Sequence, residues 1–375
     1  PAINGSNLTN ISSTFSADGS FNSIDIGKGA NSVAGNTVLG ENALDAAVTG
    51  GNNTAIGKNS LTANTTGTSN TAVGANALDA NTTANYNDAF GHKALSANTT
   101  GEANSAFGNS ALELNSTGTS NCAIGYGALY ANTTGANNVA VGALALDANT
   151  TGSQNIGIGK NALGINTTGS QNIAIGHQSL DANTTASNNT ALGYFTLAAN
   201  TTGTANVAVG SNALDANTTG NGNIAVGFES GTDVTTSAGL TAVGHRTGAN
   251  VTTGANNTLI GFVSGFDVTT GVNNLLLGAQ AGRSTSPSGT ITTGNNNICL
   301  GDNGIANLFC KVSTIQTSDI RDKTDVNDFK FGLSWVEKLR PITYRWDMRS
   351  NYKDGVSDGS KKEEKLHLGF IAQEE

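Results

Sequence analysis

The sequence predicts an all-β protein whose main part is a parallel β-solenoid (a β-roll) of 17-residue coils. Two observations predict this fold: a glycine that recurs every 17 residues, and short β-branched stretches that alternate with turn-forming ones between the glycines. The composition is also unusual, because charged residues make up only 12% of the chain while Gly occurs 49 times. Such a composition is typical of a disordered chain or of a regular stack of small residues, and the strict repeat favours the stack.

The repeat occupies residues 36–301 and keeps its register through fifteen glycines. Positions are counted here from that repeat glycine. Asn stands at position −4, except at Leu240, and Thr stands at position +9, except at Pro287. A sixteenth copy, residues 297–301, follows six extra residues. The glycines in step are Gly40, Gly57, Gly74, Gly91, Gly108, Gly125, Gly142, Gly159, Gly176, Gly193, Gly210, Gly227, Gly244, Gly261 and Gly278.

One copy, residues 53–69, reads NTAIGKNSLTANTTGTS. Its NTAIG stretch predicts a short strand, because it is β-branched and bounded by Asn and Gly. The ANTTG stretch is turn chemistry, and we interpret the intervening SLTA stretch as a second short strand. A unit this small buries its apolar face only by stacking on its neighbours. With a rise of about 4.8 Å per coil, the array predicts a rod about 70 Å long.

Stacking assigns a place to each fixed residue. The Asn at position −4 is expected to form a ladder of amides that bond to the coils above and below. The Ala at −2 is expected to fill the core, and the Ile or Val at −1 to point the other way, because strand side chains alternate. Both faces of the strand are therefore apolar. The outward face needs a cover, which predicts an oligomer of identical chains.

The array changes character near residue 227. Eleven copies carry Leu at position +4, whereas the last four carry Gly231, Gly248, Gly265 and Gly282. This change predicts a narrower or differently packed rod in which Phe228, Phe262 and Phe266 fill the vacated space. Two of the three cysteines, Cys122 and Cys299, fall within the array and are expected to be small buried side chains.

Several function classes are disfavoured by the residues that the chain lacks. A net charge of −9 argues against nucleic acid as a partner, and no apolar run is long enough to enter a membrane. The four His residues show no ligand spacing, and no phosphate-binding loop is present, so neither a metal nor a cofactor is expected. Asp recurs irregularly at position +5, which we interpret as a solvated face rather than a catalytic pair. These are Asp45, Asp79, Asp147, Asp181 and Asp215.

A different kind of domain begins near Ser318, because residues 318–375 hold 11 of the 18 Lys and Arg residues and both Trp residues. The predicted organisation is a lead-in or cap over residues 1–35, the solenoid over 36–301, a connector over 302–317 and this domain over 318–375. Its pattern predicts a helix over about 328–339, ended by Pro341, and a strand over 342–346.

Three ordered motifs lie in this domain: SDIRDK at 318–323, LRPITYRW at 339–346 and HLGFIAQE at 367–374. They resemble the SDxRxK, LRPxxYxW and HxGFIAQE elements of the intramolecular chaperone domain of endosialidase-type phage tailspikes and tail fibres. The resemblance implies a small α+β domain that assembles three chains and then cuts the Thr317–Ser318 bond. It further implies that Ser318 is the nucleophile and Lys323 the base, with Arg321 as a possible support that keeps Lys323 neutral.

The array resembles a second family. Copies such as NVAVGSNAL at 206–214 are similar to the head repeats of trimeric autotransporter adhesins, which form a trimeric β-roll with a shorter repeat. Together the resemblances imply a homotrimeric viral tail fibre or spike, assembled in the host cytoplasm and carried on the virion. Its expected partners are its own copies, a host-surface receptor (a glycan or a protein) and upstream tail or baseplate proteins. Two alternatives remain: an autotransporter-like surface adhesin and a polysaccharide depolymerase.

Overall fold

The computed structural model describes residues 19–21, 24–307, 341–345, 364 and 367–370. The chain divides into two compact units, Pro1–Asn307 and Leu308–Glu375, and the boundary falls inside the predicted connector. In the first unit the described elements are a short 3-10 helix, Ala30–Ser32, and eighteen strands. The strands are β1 Gly19–Phe21, β2 Ile24–Gly27, β3 Thr37–Gly40, β4 Thr54–Ile56, β5 Thr71–Val73, β6 Asp88–Phe90, β7 Ser105–Phe107, β8 Cys122–Ile124, β9 Val139–Val141, β10 Ile156–Ile158, β11 Ile173–Ile175, β12 Thr190–Leu192, β13 Val207–Val209, β14 Ile224–Val226, β15 Thr241–Val243, β16 Thr258–Ile260, β17 Leu275–Leu277 and β18 Ile298–Leu300.

All eighteen strands belong to one sheet, and β3 to β18 are parallel. Each residue pairs with its equivalent in the next coil, as Ala55 does with Ala72, so the repeat glycines also stack. The extra residues before the last copy leave this register intact, because Leu276 still pairs with Cys299. The predicted parallel β-solenoid of 17-residue coils is therefore confirmed. At the start of the sheet, β2 pairs antiparallel with β3, and β1 with β2.

Each coil has one strand, not the two that the sequence suggested. The SLTA stretch of residues 60–63 forms a turn in which Leu61 has a φ of 51°. A left-handed Leu costs roughly 1–2 kcal/mol, and burying its side chain completely returns roughly 1.5–3 kcal/mol. Because Leu61 has no exposed surface, burial outweighs the strain. The interpretation of SLTA as a strand was wrong because it weighed local propensity without this tertiary compensation.

The core of a regular coil consists of Ala at −2, Ala or Ser at +3 and Leu at +4, all fully buried. In the coil of Gly125 these residues are Ala123, Ala128 and Leu129. The repeat glycine allows adjacent coils to approach closely. A Cβ on Gly91, whose φ is 145°, would lie 2.3 Å from the carbonyl oxygen of Gly108. No other residue fits that corner, which explains why the glycine keeps its register along the array.

Two ladders of buried Asn side chains run along the rod. In the predicted ladder, at −4, Asn70 donates from its backbone nitrogen to Asn53 Oδ1 over 3.0 Å and from Nδ2 to the Ala84 carbonyl over 2.8 Å. The second ladder, at +7, is formed by the Asn of the NTT triplets. There Asn81 Nδ2 donates to Asn64 Oδ1 over 3.0 Å and to the Ala84 carbonyl over 3.2 Å. The sequence analysis treated the NTT triplets as turn chemistry and missed this ladder.

The packing changes in the last coils, although not through the aromatic residues that the sequence suggested. Phe228 and Phe262 are 46% and 56% exposed, and Phe266 lies beneath the guanidinium groups of two Arg residues. Apolar side chains from other core columns fill the space: Leu240 at −4, Leu259 and Leu276 at −2, and Val234, Val251 and Val268 at +7. A Cβ on Gly265 would lie 2.7 Å from Leu259 Cδ2, which shows that Leu259 occupies the volume of the missing Leu.

In the second unit the described strands are β19, Pro341–Tyr344, and β20, His367–Phe370. They pair antiparallel, with Tyr344 opposite His367 and Pro341 opposite Phe370. β19 overlaps the strand predicted over 342–346. The helix predicted over 328–339 lies outside the described residues.

Candidate functional site

The outward side of the parallel sheet carries an apolar row from one end of the rod to the other. We call the side chains at position −1 the outer row. All of them are apolar, and all are exposed or partly exposed in the single chain. The members are Leu39, Ile56, Val73, Phe90, Phe107, Ile124, Val141, Ile158, Ile175, Leu192, Val209, Val226, Val243, Ile260, Leu277 and Leu300.

Strand register keeps this row straight. Equivalent residues pair directly, so outer-row side chains stack along the rod about 4.8 Å apart. The stacking is visible where two aromatic members meet, since the rings of Phe90 and Phe107 lie 4.8 Å apart and nearly parallel. A contiguous apolar patch of this length is rare on a monomeric protein and marks an interaction surface.

Position −3 contributes a second, mixed column to the same face. It carries Thr, Asp and Ser in the early coils and becomes mostly Val and Ile from Val139 to Ile224. Cys122 lies in this column and is partly exposed, so the expectation that it is buried was wrong. The error follows from strand alternation, because −3 and −1 point outward while only −2 points into the core. Cys299, at −2, is buried as expected.

The Asp residues at position +5 differ in environment. Asp45 is exposed, as a solvated face requires, but the others are only partly exposed. Burial raises the pKa of Asp79 and Asp147, and raises that of Asp215 to about 6. One carboxylate oxygen each of Asp79 and Asp215 is buried without a hydrogen-bond partner in the described part of the chain. The expectation of a uniformly solvated column was therefore wrong, because the turn folds these carboxylates against the rod.

Two His residues of the array, His177 and His245, stack on aromatic neighbours. His177 lies 5.6 Å from Tyr194, and His245 stacks between Phe228 and Phe262. No group of three or more His, Cys, Asp or Glu side chains able to hold a metal ion occurs in the described part of the chain. Over those same residues, no helix has the length and apolar character needed to cross a bilayer.

The residues that the resemblance assigns to self-cleavage are Thr317, Ser318, Arg321 and Lys323, and all of them lie outside the described residues. The structure does bring two of the three motifs together. β19 comes from LRPITYRW and β20 from HLGFIAQE, and these strands pair. Next to them, the Arg345 guanidinium donates a hydrogen bond to the Glu364 carbonyl. The described strands of the second and third motifs therefore form one small sheet.

Comparison with known families agrees with the motifs. Residues 318–374 match the family described as chaperone of endosialidase, and the match begins at Ser318. This confirms the resemblance drawn from the three motifs, over about a sixth of the chain. No curated protein matches the sequence. Fold and match together define a parallel β-solenoid protein that carries a C-terminal segment similar to the endosialidase chaperone.

Proposed function

We propose that this chain is the shaft of a homotrimeric viral tail spike or fibre, and that residues 318–375 act as its assembly chaperone. The observation that carries the proposal is the outer row, which is apolar at every coil from Leu39 to Leu300. Exposed apolar side chains cost free energy that burial recovers at about 25 cal/mol per Å². A second copy of the same row is the natural cover, because its length and spacing match by construction.

Three chains satisfy this row better than two, for two reasons. Three parallel rods around a common axis each direct one face inward, which buries every outer row at once. The resemblances of the array and of the C-terminal segment are both to trimeric proteins. Such an assembly leaves no apolar sheet face in water and resists unfolding kinetically, because one chain separates only by exposing the rows of the others.

The chaperone is proposed to be removed by a single cut before Ser318. Ser318 Oγ attacks the Thr317 carbonyl carbon, and Lys323 accepts the hydroxyl proton. The bond between the Thr317 carbonyl carbon and the Ser318 nitrogen then breaks, and the proton passes from Lys323 to this nitrogen, which becomes the new amino terminus. Thr317 stays attached to Ser318 Oγ as an ester until water hydrolyses it. A Ser hydroxyl needs such a base to become a useful nucleophile. Lys323 serves only when neutral, which requires burial or the nearby positive charge of Arg321 to lower its pKa. The support is the family match, whose first residue is Ser318.

On the virion, the shaft is proposed to connect upstream tail or baseplate proteins to a host-surface receptor. The same proposal places assembly in the host cytoplasm, since tail proteins are assembled before the virion is released. The competing role is a surface adhesin, favoured by the similarity of residues 206–214 to adhesin head repeats.

The oligomer is tested by sedimentation of the full chain, native and with Ile158→Asp and Ile175→Asp in the outer row. The native chain is expected to be a trimer, and the double variant to dissociate because two carboxylates per chain face the buried axis. The matched control carries Thr168→Asp and Thr185→Asp, at exposed turn positions of the same two coils. Circular dichroism checks that each chain keeps its sheet. A native chain that stays monomeric at micromolar concentration would contradict the trimer.

The cut is tested by intact mass and denaturing gels of the full protein beside a Ser318→Ala variant. Cleavage before Ser318 in the native chain only is the expected result. If both chains remain whole while trimeric, Ser318 is not a working nucleophile. The segment would then be a permanent cap, and the adhesin role would be favoured.

A further inference from the structure

A groove of about 350 Å³ interrupts the regular surface of the rod in its first half. Its wall includes Lys93, Glu113, Tyr126, Tyr130 and Asp147. These residues occupy positions +1, +2 and +5, whereas the outer row occupies position −1. The groove is therefore built from turns and not from the sheet face assigned to the trimer. Its volume lies at the lower end of the roughly 300–1,000 Å³ of small-molecule sites.

Departures from the repeat create this groove. At +2 most coils carry a side chain, often Asn, but Gly127, with a φ of 60°, carries none, and the Leu144 Cδ2 atom of the next coil lies 2.9 Å from where its Cβ would be. At +5, Glu113 and Tyr130 in two consecutive coils replace the Asp, Thr, Ser or Ala of most other coils. A shaft needs none of these changes, because neighbouring coils stack without them. Their concentration in adjacent coils indicates a site.

The two Tyr rings are available to a ligand. Tyr126 and Tyr130 are 62% and 38% exposed, and neither stacks on another aromatic ring of the described chain. The late stack of Phe228, His245 and Phe262 differs, because each ring there covers the face of the next. Exposed aromatic rings bearing a polar hydroxyl suit a flat ligand with one apolar side.

The polar groups of the groove supply both donors and acceptors. Lys93 Nζ lies 3.2 Å from Glu113 Oε1, and Asp147, whose pKa burial raises, also lines the groove. Glu113 is well shielded from solvent, with its side chain 13% exposed. Hydrogen bonds to such charged groups are stronger than neutral ones. A ring of hydroxyl groups, each both donor and acceptor, matches this arrangement.

We propose that this groove binds a neutral saccharide of one or two pyranose rings, with a sugar face on Tyr126 or Tyr130 and hydroxyls on Glu113, Lys93 and Asp147. Two carboxylates against one ammonium leave the site net negative, which disfavours sialylated and uronic acid sugars. That the groove is the host contact of the fibre rests on the proposed function. That it binds a saccharide rests on the groove alone.

The test is a glycan array bearing neutral, sialylated and uronic acid oligosaccharides, probed with the full chain, followed by calorimetric titration of the strongest neutral binder. Tyr126→Ala and Tyr130→Ala are each expected to weaken binding roughly ten-fold, because each removes a stacking face. Both variants are expected to fold, since Ala75 and Ala198 occupy the same positions in other coils. Glu113→Gln is expected to weaken binding while preserving shape.

The matched control is Tyr86→Ala, which removes a Tyr that is 64% exposed at position +12, away from the groove. It is expected to bind like the native chain. The proposal is overturned if no neutral glycan binds, if acidic glycans bind more tightly, or if the groove variants bind like the control. Sedimentation of the same samples separates these outcomes from a failure of the trimer.

Discussion

Replacing Asn104 with Ala tests whether the buried amide ladder holds the coils together. Its Nδ2 donates to Asn87 Oδ1 over 3.2 Å and to the Gly118 carbonyl over 2.9 Å. Its Oδ1 accepts the backbone N–H of Asn121 over 3.0 Å and the Asn121 side-chain amide over 3.1 Å. One side chain therefore joins the coils on either side of its own.

Most partners of Asn104 keep another hydrogen bond after truncation. The Gly118 carbonyl still accepts from Asn115, and the Asn121 side chain still donates to the Gly135 carbonyl. The Asn121 backbone N–H loses its acceptor in the buried interior. An orphaned buried donor costs roughly 1–3 kcal/mol, and each lost hydrogen bond about 1 kcal/mol. We expect Asn104→Ala to destabilise this coil by about 2–4 kcal/mol.

Hydrogen exchange measures this loss locally, which matters because a long repeat array need not unfold in one step. A loss of 2–4 kcal/mol corresponds to about 30- to 1,000-fold faster exchange of amides around Asn121, with distant coils unchanged. The control is Asn109→Ala, an exposed Asn in the adjacent turn, which should leave exchange within about three-fold of native. Equal exchange in the two variants would refute the structural role of the ladder.

Two further changes probe the repeat glycine and the shielded carboxylates. Gly91→Ala should lower the free energy of unfolding by more than about 2 kcal/mol, because its Cβ would lie 2.3 Å from the Gly108 carbonyl oxygen. The loss would be measured as a lower urea midpoint, and an unchanged midpoint would show that the backbone at this corner relaxes. For Asp215, burial raises the folded-state pKa to about 6, with Asp233 and Glu229 adding smaller repulsions. The stability that the protonated Asp215 provides is present below about pH 4 and lost as the pH rises to about 6. Asp215→Asn should therefore have a higher melting temperature than the native chain at pH 7 and an equal one at pH 4. The control, Asp45→Asn at an exposed site, should show no such difference. A gain for Asp215→Asn that does not depend on pH would contradict this account.

Period and alternation were sufficient to predict the stack, its parallel register and the −4 ladder. A glycine at every seventeenth position leaves few other ways to arrange the chain, and strand alternation then places Ala at −2 inward. The second strand of each coil was a wrong prediction because Leu at +4 is a poor candidate for left-handed φ until its complete burial is known. The groove escaped notice because its residues come from four consecutive coils and meet only after stacking.

The catalytic proposal depends on the sequence in a different way. Ser318 and Lys323 were assigned from motifs, and those motifs are matched by the endosialidase chaperone family. No periodic argument could have found them, because the domain is not repetitive. Conversely, the family match says nothing of residues 36–301, whose outer row and groove come only from the register of the coils. Shaft and chaperone are thus supported by independent observations, and one can fail without the other.

Compensation within the core gives a last prediction. Gly282 replaces the usual Leu at +4, and its nearest neighbour is Leu276, whose Cδ1 would lie 2.6 Å from an added Cβ. Gly282→Leu alone should therefore overpack the core, and Leu276→Ala alone should leave a cavity worth about 2.7–5.0 kcal/mol. The double variant restores the arrangement of earlier coils, where Ala123 and Leu129 occupy the same two positions.

A double-mutant cycle measured by hydrogen exchange of the amides around Leu276 reports this coupling, with an expected compensation of at least about 1 kcal/mol. The control pairs Gly282→Leu with Ala213→Gly, a core change several coils away, where additive losses are expected. Coupling in the first pair would mean that the side chain at −2 fills, in the late coils, the core space that Leu at +4 fills in the earlier ones, within an unchanged rod. Additive losses in both pairs would mean that Leu276 does not occupy the space left by the missing Leu. The late coils would then need a different backbone path to stay filled, although the parallel register of Leu276 and Cys299 argues for an unchanged one.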